Sequence, residues 1–202
     1  MVAKRRSETM EENRTKLLAA ARKAFAEKGF AAASMDELTA SVGLTRGALY
    51  HNFGDKKGLL AAVVAQIDGE MAERAKAEAS HASDDWERLL AEGVAYIKMA
   101  LDPEVRRIVL LDGPAFLGDP AQWPGQISCL EATRQTVEKM LERGILQAVD
   151  ADAAAHMLNS AAMSAAIWIA ASSEPERALP KIIAVFTHLA SGLRNDSGSA
   201  KI

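Results

Sequence analysis

Residues 33–60 read ASMDELTASVGLTRGALYHNFGDKKGLL, and this stretch decides the fold because it carries the punctuation of two short helices around a tight turn. Ser34 followed by Glu37 makes a capping box. The serine oxygen accepts from an orphan helix amide, and the glutamate carboxylate reaches back to the cap residue's own N–H. The helix so opened turns Leu38 and Val42 inward. Gly43 suits a left-handed turn, Leu44 plugs the junction, and Thr45 caps a second helix from Arg46 to about Asn52. Asp55 caps a longer helix that runs through Leu60, Val63, Val64 and Ile67 to about Glu78.

A helix, a short turn and a second helix form the helix-turn-helix pattern, whose second helix enters the major groove of DNA. With Leu49 and Phe53 inward, Gly47 and His51 point outward, flanked by Tyr50 and Ala48, and Arg46 stays within reach of a phosphate. Gly47 costs the helix about 1 kcal/mol relative to alanine, and close approach of a sugar-phosphate backbone is a reason for it. Lys56 and Lys57 occupy a first helical turn, where the dipole disfavours cations unless a phosphate meets amides and ammonium groups together. Thr45, Tyr50, Asn52 and Lys56 are the expected phosphate contacts, and Arg46, Ala48 and His51 the expected base readers. Ser34 is counted with this DNA-facing set.

Upstream, Leu18, Ala21 and Phe25 recur at helical spacing in a first helix that starts at Asn13 or Thr15 and ends at Gly29. The charged stretch Ala3–Glu12, with Lys4, Arg5 and Arg6, reads as a solvated end rather than a minor-groove arm. Downstream, helices are expected from Asp84 or Asp85 to Leu101, Glu104 to Leu111, Ile127 to Arg143, Ala151 to Ala171 and Glu176 to Leu193, with a frayed tail after Arg194. Asp112–Gly125 holds three glycines and three prolines and reads as irregular or briefly helical. The fold class is therefore all-α. The division places a helix-turn-helix domain at 1–60 and a larger helical domain at 61–202.

Charge follows that division: residues 1–60 carry 11 Lys or Arg against 7 acids, and residues 61–202 carry 13 against 20. A basic head on an acidic body fits a protein in which one end approaches phosphates. The single cysteine, Cys129, excludes an intramolecular disulfide framework. No stretch reads as a signal peptide, and apolar runs such as Ala161–Ala171 are too short and too interrupted by Ser164 to span a bilayer, so a cytoplasmic protein without membrane contact is expected. His81, His156 and His188 are scattered, with no zinc-protease spacing, nucleophile elbow or phosphate loop, so neither catalysis, a cofactor nor a metal is expected.

The stretch from about Thr15 to Val63 closely resembles the DNA-binding domain of the TetR/AcrR family of bacterial transcriptional regulators. The resemblance is carried by Ala24, Phe25, Gly29 and Phe30, by Ser34, Met35, Leu38, Val42, Gly43 and Leu44, by the run Thr45-Arg46-Gly47-Ala48-Leu49-Tyr50, and by Phe53, Lys56 and Leu59. Two departures stand out. His51 and Asn52 occupy the place of a frequent tyrosine-histidine pair, and Thr39 replaces a small apolar residue, adding a groove-edge hydroxyl or simply sitting at the surface.

The resemblance implies a homodimer on double-stranded, palindromic operator DNA, an effector-binding body and a dimer interface built from the last two helices. It favours repression relieved by a small molecule. The alanine-rich segments at about 154–171 and 178–193 fit close helix approach across that interface, with an internal bundle core as the alternative. Trp86, Tyr96, Met99, Phe116, Trp123, Met140, His156, Met157, Met163 and Trp168 are the expected lining of an adaptable apolar cavity. Asp112, beside Gly113-Pro114, is either a polar anchor for a cationic ligand or a helix cap. An architectural DNA binder without an effector is the rival reading; it predicts weak sequence preference.

Overall fold

Cap residues and apolar spacing set where the helices fall. The computed structural model describes residues 2–195, with side chains from Thr9 onward; the side chains of Lys4, Arg5 and Arg6 and the tail beyond Asn195 lie outside the described residues. Among the described residues the order is α1 Val2–Ala32, α2 Met35–Ser41, α3 Arg46–Phe53, α4 Lys56–Glu78, α5 Asp85–Lys98, a π-helical segment Val105–Asp112, α6 Gly113–Leu117, α7 Pro124–Glu142, α8 Ala151–Ala171 and α9 Pro175–Ser191. The fold is all-α; extended pairing is limited, among these residues, to an isolated bridge between Leu146 and Arg194.

Packing groups the helices into two compact units. One comprises the chain up to Asp68 together with Pro103–Pro120, and the other Gly69–Asp102 together with the chain from Ala121 onward. The first therefore keeps α4 past residue 60 and takes in a segment distant in sequence from the helix-turn-helix.

In the first unit Leu17, Ala21 and Phe25 of α1 are fully buried, with Leu59, Leu60 and Val63 of α4. Helical backbone reaches back to Val2, so the stretch expected to be a loose end continues α1. The helix breaks at Gly29 (φ 76, ψ 162), as the left-handed expectation required, but one more turn follows, closed by Ala33 N–H donating to the Gly29 carbonyl at 3.2 Å. The break frees the Phe30 amide, which donates to Asp112 Oδ2 at 2.7 Å; Arg107 Nε lies 3.3 Å from the same oxygen. A side chain at Gly29 would collide with the Arg107 guanidinium, 1.8 Å from its Nη2. Arg22 adds a two-point pair with Glu104 at 2.7 and 2.6 Å, and the Phe30 and Phe116 rings meet with centroids 4.5 Å apart and planes tilted by 46°. Within the π-helical segment the wide i→i+5 pattern, with Gly113 N–H on the Ile108 carbonyl, turns Val105, Ile108, Val109 and Leu110 into the core.

In the second unit α8 packs against α5, α7 and α9. Trp86, Val137, Met140, Leu146, Ala154, Leu158 and Ala190 form one buried cluster. Asp84 and Asp150 cap α5 and α8, accepting at 2.8 Å from Glu87 and Ala153 N–H. Pro175 opens α9, one residue before the expected start at Glu176, and Pro180 inside it removes one helical N–H. By length and composition α8 is a helix long and apolar enough to cross a membrane, which the shorter run Ala161–Ala171 had concealed. Its alanines instead let neighbours approach: Ala155, Ala166 and Ala170 are fully buried in the bundle.

In the first unit Gly58 sits against backbone that cannot give way. A Cβ there would sit 1.9 Å from the Phe53 carbonyl oxygen. Gly58→Ala should therefore destabilise the first unit by about 1–3 kcal/mol, where an unconstrained helical glycine would gain about 1 kcal/mol; denaturant unfolding measures the sign. Glu92, half-buried on α5, has its carboxyl pushed above the ordinary value of 4.5 by burial, against the opposing pull of Lys76 and Arg88. A folded value above the unfolded one means a contribution fully present below pH 4.5 and lost as pH rises through the folded value. Glu92→Gln should raise the thermal midpoint at pH 7, with the advantage vanishing below about pH 4.

Candidate nucleic-acid interface

Local bonding builds the helix-turn-helix in the order its caps predict. Ser34 Oγ accepts from Glu37 N–H at 3.4 Å, but the second half of the capping box is absent: Glu37 Oε2 instead takes Lys28 Nζ at 2.7 Å. That bond holds the Glu37 carboxyl below its ordinary value and the Lys28 ammonium above its own. Gly43 adopts φ +68, and Leu44 N–H closes the turn on the Thr39 carbonyl at 2.9 Å. Thr45 Oγ1 accepts from Ala48 N–H at 3.3 Å, which starts α3. Leu49 points inward with 1% exposure. Arg14 fixes the other end of α3, donating to the Asn52 carbonyl at 3.2 Å with its guanidinium 4.7 Å from the centre of the Phe53 ring.

Outward, α3 presents Arg46, Gly47, Tyr50 and His51, all exposed, with Ala48 half-exposed beside them. A Cβ at Gly47 would meet nothing closer than Thr45 Oγ1 at 3.6 Å, an ordinary contact. Nothing inside the protein explains that glycine. Asn52 folds back on its own helix, Nδ2 donating to the Ala48 carbonyl at 2.7 Å. Thr39 is buried to 4% exposure, its hydroxyl donating to the Met35 and Asp36 carbonyls at 2.9 and 3.2 Å. Lys56 is anchored, donating to the Ala31 carbonyl at 3.3 Å with its ammonium 4.6 Å from the centre of the Phe30 ring, whereas Lys57 is exposed. Sequence reasoning missed Asp36, which pairs with Arg46 through both its carboxylate oxygens. Neither residue type nor cap spacing signals that pairing.

The expected effector residues are dispersed. Trp86, Met99 and Met140 are buried in the second unit, while Tyr96, Trp123 and Met163 are half-buried there. Met157 and Trp168 are exposed by 70% and 67%. His156 is exposed and lines a groove of about 200 Å3 between α7 and α8. Phe116 and Asp112 belong to the first unit, where the Asp112 carboxylate is engaged by Phe30 and Arg107. A larger groove of about 640 Å3 follows α1 from Glu11 to Glu27 and includes none of the expected residues. Two donors in the second unit, Trp123 Nε1 and Asn159 Nδ2, are buried without acceptors. Among the described residues no group of three His, Cys, Asp or Glu gathers as a metal site would need.

Comparison with known proteins covers both units. Residues 17–63 match the family described as bacterial regulatory proteins, tetR family, and residues 86–193 match the tetracyclin repressor-like C-terminal domain. The solved structure of a TetR-family transcriptional regulator from Pectobacterium atrosepticum is 45% identical, with a TM-score of 0.83 over 93% of this chain and 96% of that one. The transposon Tn10 TetC protein of Escherichia coli is 29% identical over 160 residues, 75% of this chain and 77% of that protein. The HTH-type transcriptional repressor AcnR of Corynebacterium glutamicum is 39% identical over 61 residues, 30% of this chain; the match spans about a third of that repressor's length, 32%. With one family description matched by the helix-turn-helix and another by more than half of the chain, this protein belongs to the TetR family of bacterial regulatory proteins.

Proposed function

We propose that the chain is a transcriptional repressor that reads a palindromic operator as a homodimer through α3 and leaves it when a small molecule binds the second unit. The observation that carries this reading is Gly47: a helical glycine where a side chain would meet only an ordinary contact, on a face shared with Arg46, Tyr50 and His51. A costly residue without an internal cause calls for an external one, and a close sugar-phosphate backbone supplies it. Thr45 and Tyr50 position the backbone, and Arg46, Ala48 and His51 face base edges. Asn52 and Lys56 support α3 and the α4 start from within, although an ammonium has three donors and Lys56 can add a phosphate to its carbonyl contact. Thr39 and Ser34 act through the fold.

The dimer reading draws on α8 and α9. Met157, Trp168, Val185 and Leu189 are each at least 60% exposed, an apolar set on the face of these helices turned away from the bundle. Burial of this face against a second copy gives the two-fold symmetry a palindrome demands. The effector reading draws on the C-terminal domain match and on the two unsatisfied donors, Trp123 Nε1 and Asn159 Nδ2, which a ligand with acceptor oxygens would satisfy. Such a ligand acts by shifting populations, and α4 carries the shift, being a single helix from Lys56 to Glu78 shared by both units.

Footprinting on DNA flanking the protein's own gene should reveal a protected palindrome; diffuse, sequence-blind protection would favour the architectural reading instead. On the same fragment Gly47→Ala should leave the fold intact or slightly more stable and weaken binding by about tenfold, roughly 1.4 kcal/mol; unchanged affinity removes the DNA role of that glycine. Trp168→Glu should preserve helicity, because the side chain is exposed, while sedimentation shows a monomer and operator affinity collapses. A dimer that survives this change places the interface elsewhere.

A further inference from the structure

We propose that Asp36 is a positioning residue that aims Arg46 at a guanine in each half of the DNA site; the inference rests on the reading of α3 as the DNA-contacting helix. Arg46 is the first residue of α3, where a helix-turn-helix brings side chains to base edges, and Asp36 stands in the first turn of α2. Arg46 Nη2 donates to Asp36 Oδ2 at 2.7 Å, and Nε contacts Oδ1. The two side chains are 57% and 68% exposed, so the pair adds little to stability. Its consequence is directional.

A guanidinium offers five N–H donors in a rigid plane. The carboxylate occupies the edge formed by Nε and one Nη2 hydrogen, which leaves the far edge, between Nη1 and Nη2, with two parallel donors. In the major groove guanine presents two acceptors side by side, O6 and N7. Adenine pairs an acceptor with a donor, cytosine offers a donor, and thymine a single acceptor beside a methyl group. The far edge of Arg46 therefore fits guanine.

The carboxylate also discriminates against the competing ligand. A phosphate brought to Arg46 would meet the Asp36 charge, whereas a guanine edge is uncharged. Without Asp36, Arg46 is a mobile cation free to take whichever phosphate is near. With it, the side chain is ordered before DNA arrives and loses less rotamer freedom on binding.

Selection of duplexes from a random library by the full-length protein, followed by competition with single-base variants, tests this directly. The wild-type motif should hold a guanine in each half-site, preferred on the order of tenfold over other bases. Asp36→Ala and Arg46→Lys should both abolish preference at that one position and leave the others in place, and the double variant should do no more than either alone. Asp36→Ala should in addition bind mixed-sequence DNA more tightly with a steeper salt dependence, by about one extra phosphate contact. A motif without such a guanine, a guanine preference that survives Asp36→Ala, or an equal relaxation at every position overturns the assignment while leaving sequence-specific binding intact. A wild-type protein that selects no motif overturns both.

Discussion

A helix that breaks must find acceptors for the amides it frees, and in the first unit that requirement falls on a single carboxylate. Gly29 interrupts α1, Phe30 N–H loses its helical partner, and Asp112 supplies the replacement from within a buried setting. The rest of the unit is arranged around that bond. Arg107 balances the carboxylate and lies where a Gly29 side chain would have to be, while Arg22–Glu104 and Phe30–Phe116 hold Pro103–Pro120 against α1. Removing the carboxylate would leave the buried Phe30 amide without an acceptor, a costlier state than a simple lost contact.

How much of this was legible depends on the range over which each signal acts. Caps and turns are local: Ser34, Gly43, Thr45, Asp55 and Asp84 announce their helix starts and turns through residue type and spacing, and the structure uses them so. Pairings across distance are invisible to periodicity. Glu37 was expected to complete its own cap and instead bonds Lys28, and Asp112 was read as a ligand anchor or a cap while its partners lie in α1 and the π-helical segment. Lys56 was expected to meet a phosphate, and no local signal announces that a carbonyl and an aromatic ring from the end of α1 also hold it.

Residue type marks the candidate pocket residues, and type alone does not say which way a helix is turned. Trp86 and Trp168 are equally apt for a pocket as residues, but one is buried at 4% exposure beside Met140 and the other stands in the open beyond the bundle. An alanine-rich helix such as α8 can bury one side and expose apolar groups on the other, so composition reads the same for core and interface. The rotation of α3 was easier to read because its inward marker, Leu49, fixes a helix of only eight residues.

The clamp at Asp112 has a kinetic side. Phe30 and Asp112, like Arg22 and Glu104, are 82 residues apart, and the intervening chain includes the whole of α2, α3, α4 and α5. A unit whose closing contacts span such a loop must wait for that loop's entropy to be overcome before the contacts reward it. The helix-turn-helix can form its local caps early, but on a growing chain the amide at Phe30 stays without its carboxylate until residue 112 has been made. The helix-turn-helix unit is thus begun by local caps and completed by a contact 82 residues away.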